Sequence, residues 1–77
     1  MIHAFILVAL TNKVEPSLIA KSISEINEVI NAHMVSGKWG IVTEVKVEDM
    51  GELRQITLHK IQDIDGVSHT NTLIVAE

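Results

Sequence analysis

The side chains best suited to recognising a small molecule sit in three short stretches. The first, SGKWGIV (Ser36 to Val42), sets Trp39, the only tryptophan of the chain, between Gly37 and Gly40, with Lys38 beside it. An indole is a large apolar wall with one donor, and glycines beside it leave backbone amides and room for a ligand to approach. The second is the pair Thr70 and Thr72, which alternate onto one face of an extended segment. Two hydroxyls pointing the same way can meet a ligand's carboxylate or amide. The third is Asp49, whose helix start can face the same pocket.

Each of these residues also has a purely structural use. Gly37 and Lys38 suit the centre of a two-residue type II′ hairpin, in which glycine supplies the positive φ. Trp39 would then be the hydrophobic lid of that hairpin, and Gly40 would contribute only backbone or space. Threonine is common in strands whatever its surroundings. Asp49 is first of all a helix cap, a role worth ~1 kcal/mol.

Catalytic and metal-binding groups are sparse. The chain has no cysteine, no serine in a nucleophile elbow and no glycine-rich phosphate loop. Of its four histidines, His3 and His69 begin the first and last expected strands, antiparallel neighbours whose starts lie at opposite ends of a sheet. His33 falls on an outer strand and His59 on a helix. No pair within one subunit has ligand spacing, so neither metal nor cofactor is expected. Glu44, Glu48, Asp49, Glu52, Asp63 and Asp65 read as caps and a solvated face.

Seventy-seven residues make one domain, residues 1–77, and a core of that size is marginal without oligomerisation. A net charge of −4 with six scattered Lys and Arg argues against nucleic-acid binding. The lack of cysteine fits a reducing cytoplasm. The apolar opening MIHAFILVAL is too short to span a membrane and has no positive charge before it, so it reads as a buried strand.

The elements that must position these residues follow from periodicity. Ile2 to Leu10 is a nearly continuous apolar run. Thr11 and Asn12 supply turn and cap, and Pro16 suits a first helical turn. Val14, Leu18, Ile19, Ile23 and Ile26 follow at helical spacing. Val29 to Ser36 and Gly40 to Val47 read as strands, the second with Ile41, Thr43, Val45 and Val47 on one face. Asp49 and Glu52 form a capping box, ahead of a helix with Met50, Leu53, Thr57, Ile61 and Ile64 as its buried stripe. Asp65-Gly66 is a turn and Val67 to Val75 a last strand. The two halves repeat at a spacing of 38 positions: Leu18 falls on Ile56, Ile23 on Ile61, Ile26 on Ile64, Val29 on Val67 and Val35 on Leu73.

Two β-α-β halves interleave into a four-stranded antiparallel sheet with both helices on one face. The fold class is α+β, a ferredoxin-like βαββαβ sandwich. Its helices cover only one sheet face, yet the first strand is apolar on both: Ile2, Ala4, Ile6, Val8 and Leu10 on one side, Phe5, Leu7 and Ala9 on the other. A second apolar face marks a partner surface, here a homodimer packed sheet to sheet. The pattern alone does not select which face pairs.

With these elements in order, the chain resembles the effector-binding (RAM) domain of Lrp/AsnC transcription regulators. VSGKWGIVTEVKVEDMGEL is similar to that family's strand, Gly-x-aromatic-Asp turn, strand, Asp cap and helix. IQDIDGVSHTNTLIVAE is similar to its helix end, Asp-Gly-Val turn, Thr-x-Thr and closing strand, and IHAFILVAL to its first strand. The resemblance implies dimers of the dimeric α/β-barrel type, assembling into a ring, commonly an octamer, with amino-acid-like ligands at the contacts between dimers. It places Gly37, Lys38, Trp39, Gly40, Asp49, Thr70 and Thr72 at or near the ligand. Family members usually carry an N-terminal helix-turn-helix domain, whereas here Met1 runs straight into the first strand. The expectation is therefore a stand-alone module acting through full-length regulators. The family's turn ends in an aspartate that helps to hold an ammonium; here that position is Gly40. The resemblance thus implies weak binding of common amino acids, or a ligand without an ammonium there, and an affinity gain for Gly40→Asp if the turn keeps its shape.

The expected function is non-enzymatic: effector sensing and oligomerisation. The alternative is a purely structural assembly module without a ligand. A small dimeric α/β-barrel enzyme comes third, because fold alone is no warrant for activity. At physiological salt the chain by itself is expected to leave DNA unretarded in a gel shift; a retarded band would contradict the reading of its charge.

Overall fold

The apolar opening run becomes the strand around which the rest is arranged. A computed structural model describes residues 1–76. Strand β1 (Ile2–Leu10) is followed by helix α1 (Pro16–Ser24), strands β2 (Val29–Met34) and β3 (Ile41–Val47), helix α2 (Met50–Gln55), which continues as a π-helix over Ile56–Ile61, and strand β4 (Val67–Ile74). The strands form one sheet in the order β2-β3-β1-β4, and every pairing is antiparallel. β1 is therefore hydrogen-bonded along both edges. This is the ferredoxin-like arrangement expected.

Register decides which side chains are buried. Ile6 stands opposite Thr43 on β3 and Thr72 on β4. Ala4, Ile6 and Val8 are fully buried with Ile41, Thr43, Val45 and Val47 against Ile19 and Ile23 of α1 and Leu53, Ile56 and Ile61 of the second helix. The odd-numbered side chains of β1 face the other way. Phe5 lies opposite Glu44 and Leu73, and Leu7 opposite Val42 and Asn71. No helix covers this face, and Leu73 on it is 50% exposed.

Several local expectations are corrected. Helix α1 starts at Pro16 with Glu15 in the cap position and no side-chain cap, while Thr11 only accepts a turn bond from the Lys13 amide. Leu18 is 59% exposed, so its match to buried Ile56 is one of sequence spacing alone; Ile23 and Ile61 are both buried as the repeat requires. β2 ends at Met34. The Val35 amide donates to the Gly40 carbonyl at 2.9 Å, closing a four-residue loop in place of a two-residue type II′ turn. Gly37 nonetheless carries the positive φ, 128°.

The capping box forms with its return bond displaced. Asp49 Oδ1 accepts from the Glu52 amide at 2.8 Å, and Glu52 Oε1 accepts from the amide of Glu48, also at 2.8 Å. Met50, expected in the buried stripe, is 45% exposed, and Ile56 takes a core place instead. Met50 is the first residue of α2, at its open end, while Ile56 follows buried Leu53 at i+3 on the same face. From Ile56 the helix widens into a π turn, in which the Gln62 amide reaches the Thr57 carbonyl at 3.0 Å. Ile56 and Ile61 would lie about 140° apart around a regular α-helix. The wider i→i+5 turn brings both onto the core side.

Two polar groups have opposite fates. Thr43 is fully buried and its hydroxyl has no partner among the described residues. On the uncovered sheet face, Glu44 accepts from Asn31 Nδ2 at 2.9 Å and from His3 Nε2 at 2.5 Å, tying β2, β3 and β1 together. The Asn31 bond foremost, and then the His3 bond, hold the Glu44 carboxyl below its ordinary pKa.

Thr43→Val removes an unpaired hydroxyl without changing shape and should raise stability by about 1 kcal/mol. That would be seen as a higher urea midpoint at unchanged slope; a lower midpoint would contradict it. Because the Glu44 pKa is lower folded than unfolded, its contribution is complete at neutral pH. It is lost as pH falls from the ordinary carboxylate range through the folded value. Glu44→Gln should flatten the acid limb of the stability profile, and an acid limb as steep as the parent's would contradict this.

Candidate functional site

The loop carrying Trp39 is fastened to β1. The Gly40 amide donates to the Val8 carbonyl at 2.9 Å. The Trp39 ring reaches across the end of β1 to meet His69 of β4 edge-on, 5.4 Å between centroids at 68°. His69 stands opposite Ala9, so this aromatic pair lies on the uncovered sheet face. Lys38 Nζ is 5.6 Å from the indole centroid, within cation–π range. Trp39 is thus partly buried by its own protomer.

Gly40 packs closely on the Leu10 side chain as well as departing from the family turn. A Cβ there would fall 2.6 Å from Leu10 Cδ1 and 2.8 Å from Leu10 Cγ. An aspartate there requires the Leu10 side chain to shift, so the affinity gain expected of Gly40→Asp depends on that movement.

Thr70 and Thr72 stand opposite Val8 and Ile6, on the helix side of the sheet and away from Trp39. The Thr70 hydroxyl accepts from Gln62 Nε2 at 2.8 Å. Thr72 opens on a groove of about 310 Å³ between β4 and the second helix, lined also by Met50, Leu53, Arg54, Thr57, Leu58 and Ile74. Thr57 turns its hydroxyl to the Leu53 carbonyl at 2.9 Å and offers the groove little polarity. Asp49 is committed to its cap at the far end of β3 from the Trp39 loop, about 20 Å away along a seven-residue strand.

The seven residues singled out from the sequence therefore occupy three places in one protomer. Gly37, Lys38, Trp39 and Gly40 are together at one end, Thr70 and Thr72 lie under the helix, and Asp49 is at the cap. Sequence reasoning missed Met50, Arg54 and Leu58 as groove residues. Helical spacing puts Met50 in the core rather than at a groove. Leu58 carried a signal in the sequence, an apolar residue left out of the expected stripe of Met50, Leu53, Thr57, Ile61 and Ile64, and in the structure it is 42% exposed.

No group of three or more His, Asp or Glu placed to hold a metal gathers among the described residues. None of the described helices is long and apolar enough to cross a membrane.

The sheet topology and its two helices have counterparts among known proteins. The Lrp/AsnC ligand binding domain model matches residues 3–77. The regulatory protein AsnC of Escherichia coli K12 is 34% identical over 62 residues, which is 80% of this chain and 40% of that protein. An HTH-type transcriptional regulator of Pyrococcus furiosus is 32% identical over 56 residues, 73% of this chain and 37% of that one. The chain thus spans roughly two fifths of the length of these regulators. Among solved structures, a Thermus thermophilus protein superposes with a TM-score of 0.92 at 27% identity, covering 100% of this chain and 95% of that one. E. coli AsnC superposes at 0.90 with 26% identity over 99% of this chain and 51% of that one. The relatives matched are transcription regulators and not enzymes. With its family model covering all but two residues and its topology shared in full, the chain belongs to the Lrp/AsnC ligand-binding domain family.

Proposed function

We propose that this domain senses a small effector and assembles with copies of itself, passing occupancy to transcription through Lrp/AsnC regulators in the cytoplasm. The observation that carries the assembly half is the uncovered sheet face. Phe5, Leu7 and Val42 form a partly buried apolar centre there, with Leu73 half exposed beside them. A small chain gains core by covering such a face with a second copy. Homodimers of this kind then join into a higher ring, an octamer in the fullest form. Residues 37–40 of one dimer, facing Asp49, Thr70 and Thr72 of another, would unite in the assembly the groups that one protomer keeps apart.

The effector half rests on the groove beside Thr72. Its volume is at the lower end for small-molecule sites and suits a ligand of amino-acid size. The alternative is an assembly module without a ligand. One observation favours it: Trp39, Thr70 and Asp49 each already have an intramolecular partner. The groove is what that alternative leaves unexplained.

Leu7→Glu puts a charge at the centre of the uncovered face and should weaken self-association about 100-fold or more. Leu18→Glu, exposed on α1 away from the sheet, should leave the dimer intact. Light scattering across a concentration series measures both, and a parent chain that is monomeric at micromolar concentration would overturn the sheet-to-sheet pairing.

A further inference from the structure

The groove beneath α2 is chemically one-sided. Four of its seven lining residues, Met50, Leu53, Leu58 and Ile74, present apolar side chains. Its polar groups are the Arg54 guanidinium and the Thr72 hydroxyl, since Thr57 is bonded to the Leu53 carbonyl. Arg54 has no ion pair among the described residues, where the two pairs are His3–Glu44 and Lys60–Glu28. Guanidinium and hydroxyl both donate, and a guanidinium fits a carboxylate with two parallel bonds. No carboxylate of the described residues lines the groove. The nearest acids on the same helix are engaged elsewhere, Asp49 with the Glu52 amide and Glu52 with the Glu48 amide.

We infer that the ligand of this groove is a short aliphatic carboxylate lacking an α-ammonium group, of the 2-oxo acid or simple carboxylic acid class, anchored by Arg54 and Thr72. The inference rests on the effector-binding reading and names its ligand class. An α-amino acid would bring its ammonium to a site whose side-chain acceptors are neutral hydroxyls, with no carboxylate among the described lining residues to offset it and a fixed positive charge beside its own carboxylate. An ammonium held near a like charge with no acid to offset it is disfavoured. A 2-oxo acid keeps the carboxylate and the branched apolar chain and replaces the ammonium by a carbonyl. That carbonyl can accept from the Thr72 hydroxyl while the carboxylate takes Arg54. The missing acid at position 40 acts in the same direction, because the Trp39 loop carries no carboxylate either. Leu58 and Ile74, 42% and 51% exposed, would be covered by the aliphatic chain.

Amide and methyl NMR titrations of the intact protein test this, with α-ketoisocaproate, isocaproate and L-leucine as probes. α-Ketoisocaproate and isocaproate should shift the resonances of Met50, Leu58 and Thr72, with L-leucine at least about tenfold weaker. Arg54 is exposed and glutamine keeps its helix propensity, so Arg54→Gln should fold as the parent does and lose tenfold or more in affinity for both acids. Arg54→Lys should retain part of it, as a point charge without the bidentate fit. If L-leucine binds the groove as tightly as α-ketoisocaproate, or Arg54→Gln leaves the acids' affinity unchanged, the ligand class is overturned while the effector-binding reading stands. If none of the probes shifts a groove resonance, both fall.

Discussion

The structure depends on β1 being paired along both edges while apolar on both faces. Hydrogen bonds to β3 and β4 fix its register, and a strand's alternation then sends neighbouring residues to opposite sides. Even positions go under the helices and odd positions to the face that no helix covers. A one-residue slip would exchange Ala4, Ile6 and Val8 for His3, Phe5 and Leu7, placing an imidazole in the core and removing it from Glu44. Core, uncovered face and the Asn31–Glu44–His3 tie are thus set by the same register.

Much of this could be read from residue order because the signals are local. The apolar run of β1, Pro16 in the first turn of α1, the Asp49–Glu52 cap and the Gly66 turn each rest on chemistry within a few residues. What escaped was set by distant contacts. Whether Leu18 is buried depends on which side of α1 meets the sheet, and Ile19 with Ile23 already fills that side. The length of the loop before β3 is decided by Gly40 bonding to Val8, a residue far away in sequence. The π turn keeps Ile56 and Ile61 together on the core side of the second helix, and nothing in an i, i+4 pattern announces it.

The site was legible as residue types and not as a place. Thr70 and Thr72 do share a face, as alternation requires, but only pairing with Val8 and Ile6 shows that it is the helix side. Trp39 was recognisable as either a wall or a lid, and only the fold shows that its ring meets His69 of β4 within one protomer. Arg54 was invisible because an arginine on an exposed helix turn is ordinary; its isolation above an apolar groove is a property of three-dimensional neighbours. The family's turn is recognisable despite Gly40, yet the Leu10 side chain packed against that glycine is visible only in the fold.

The π segment gives the second helix one residue of slack. A chain shortened by one residue between Ile56 and Ile61 could close an ordinary α turn at that point. Ile56 and Ile61, one π turn apart, would become one α turn apart, so the side chains on either side of the deletion would keep their faces and the change would be confined to the turn itself. Length variation in this domain is therefore coupled to the width of the groove wall, since Thr57 and Leu58 sit within the expanded turn. A single codon gained or lost here reshapes a binding surface while leaving the sheet untouched.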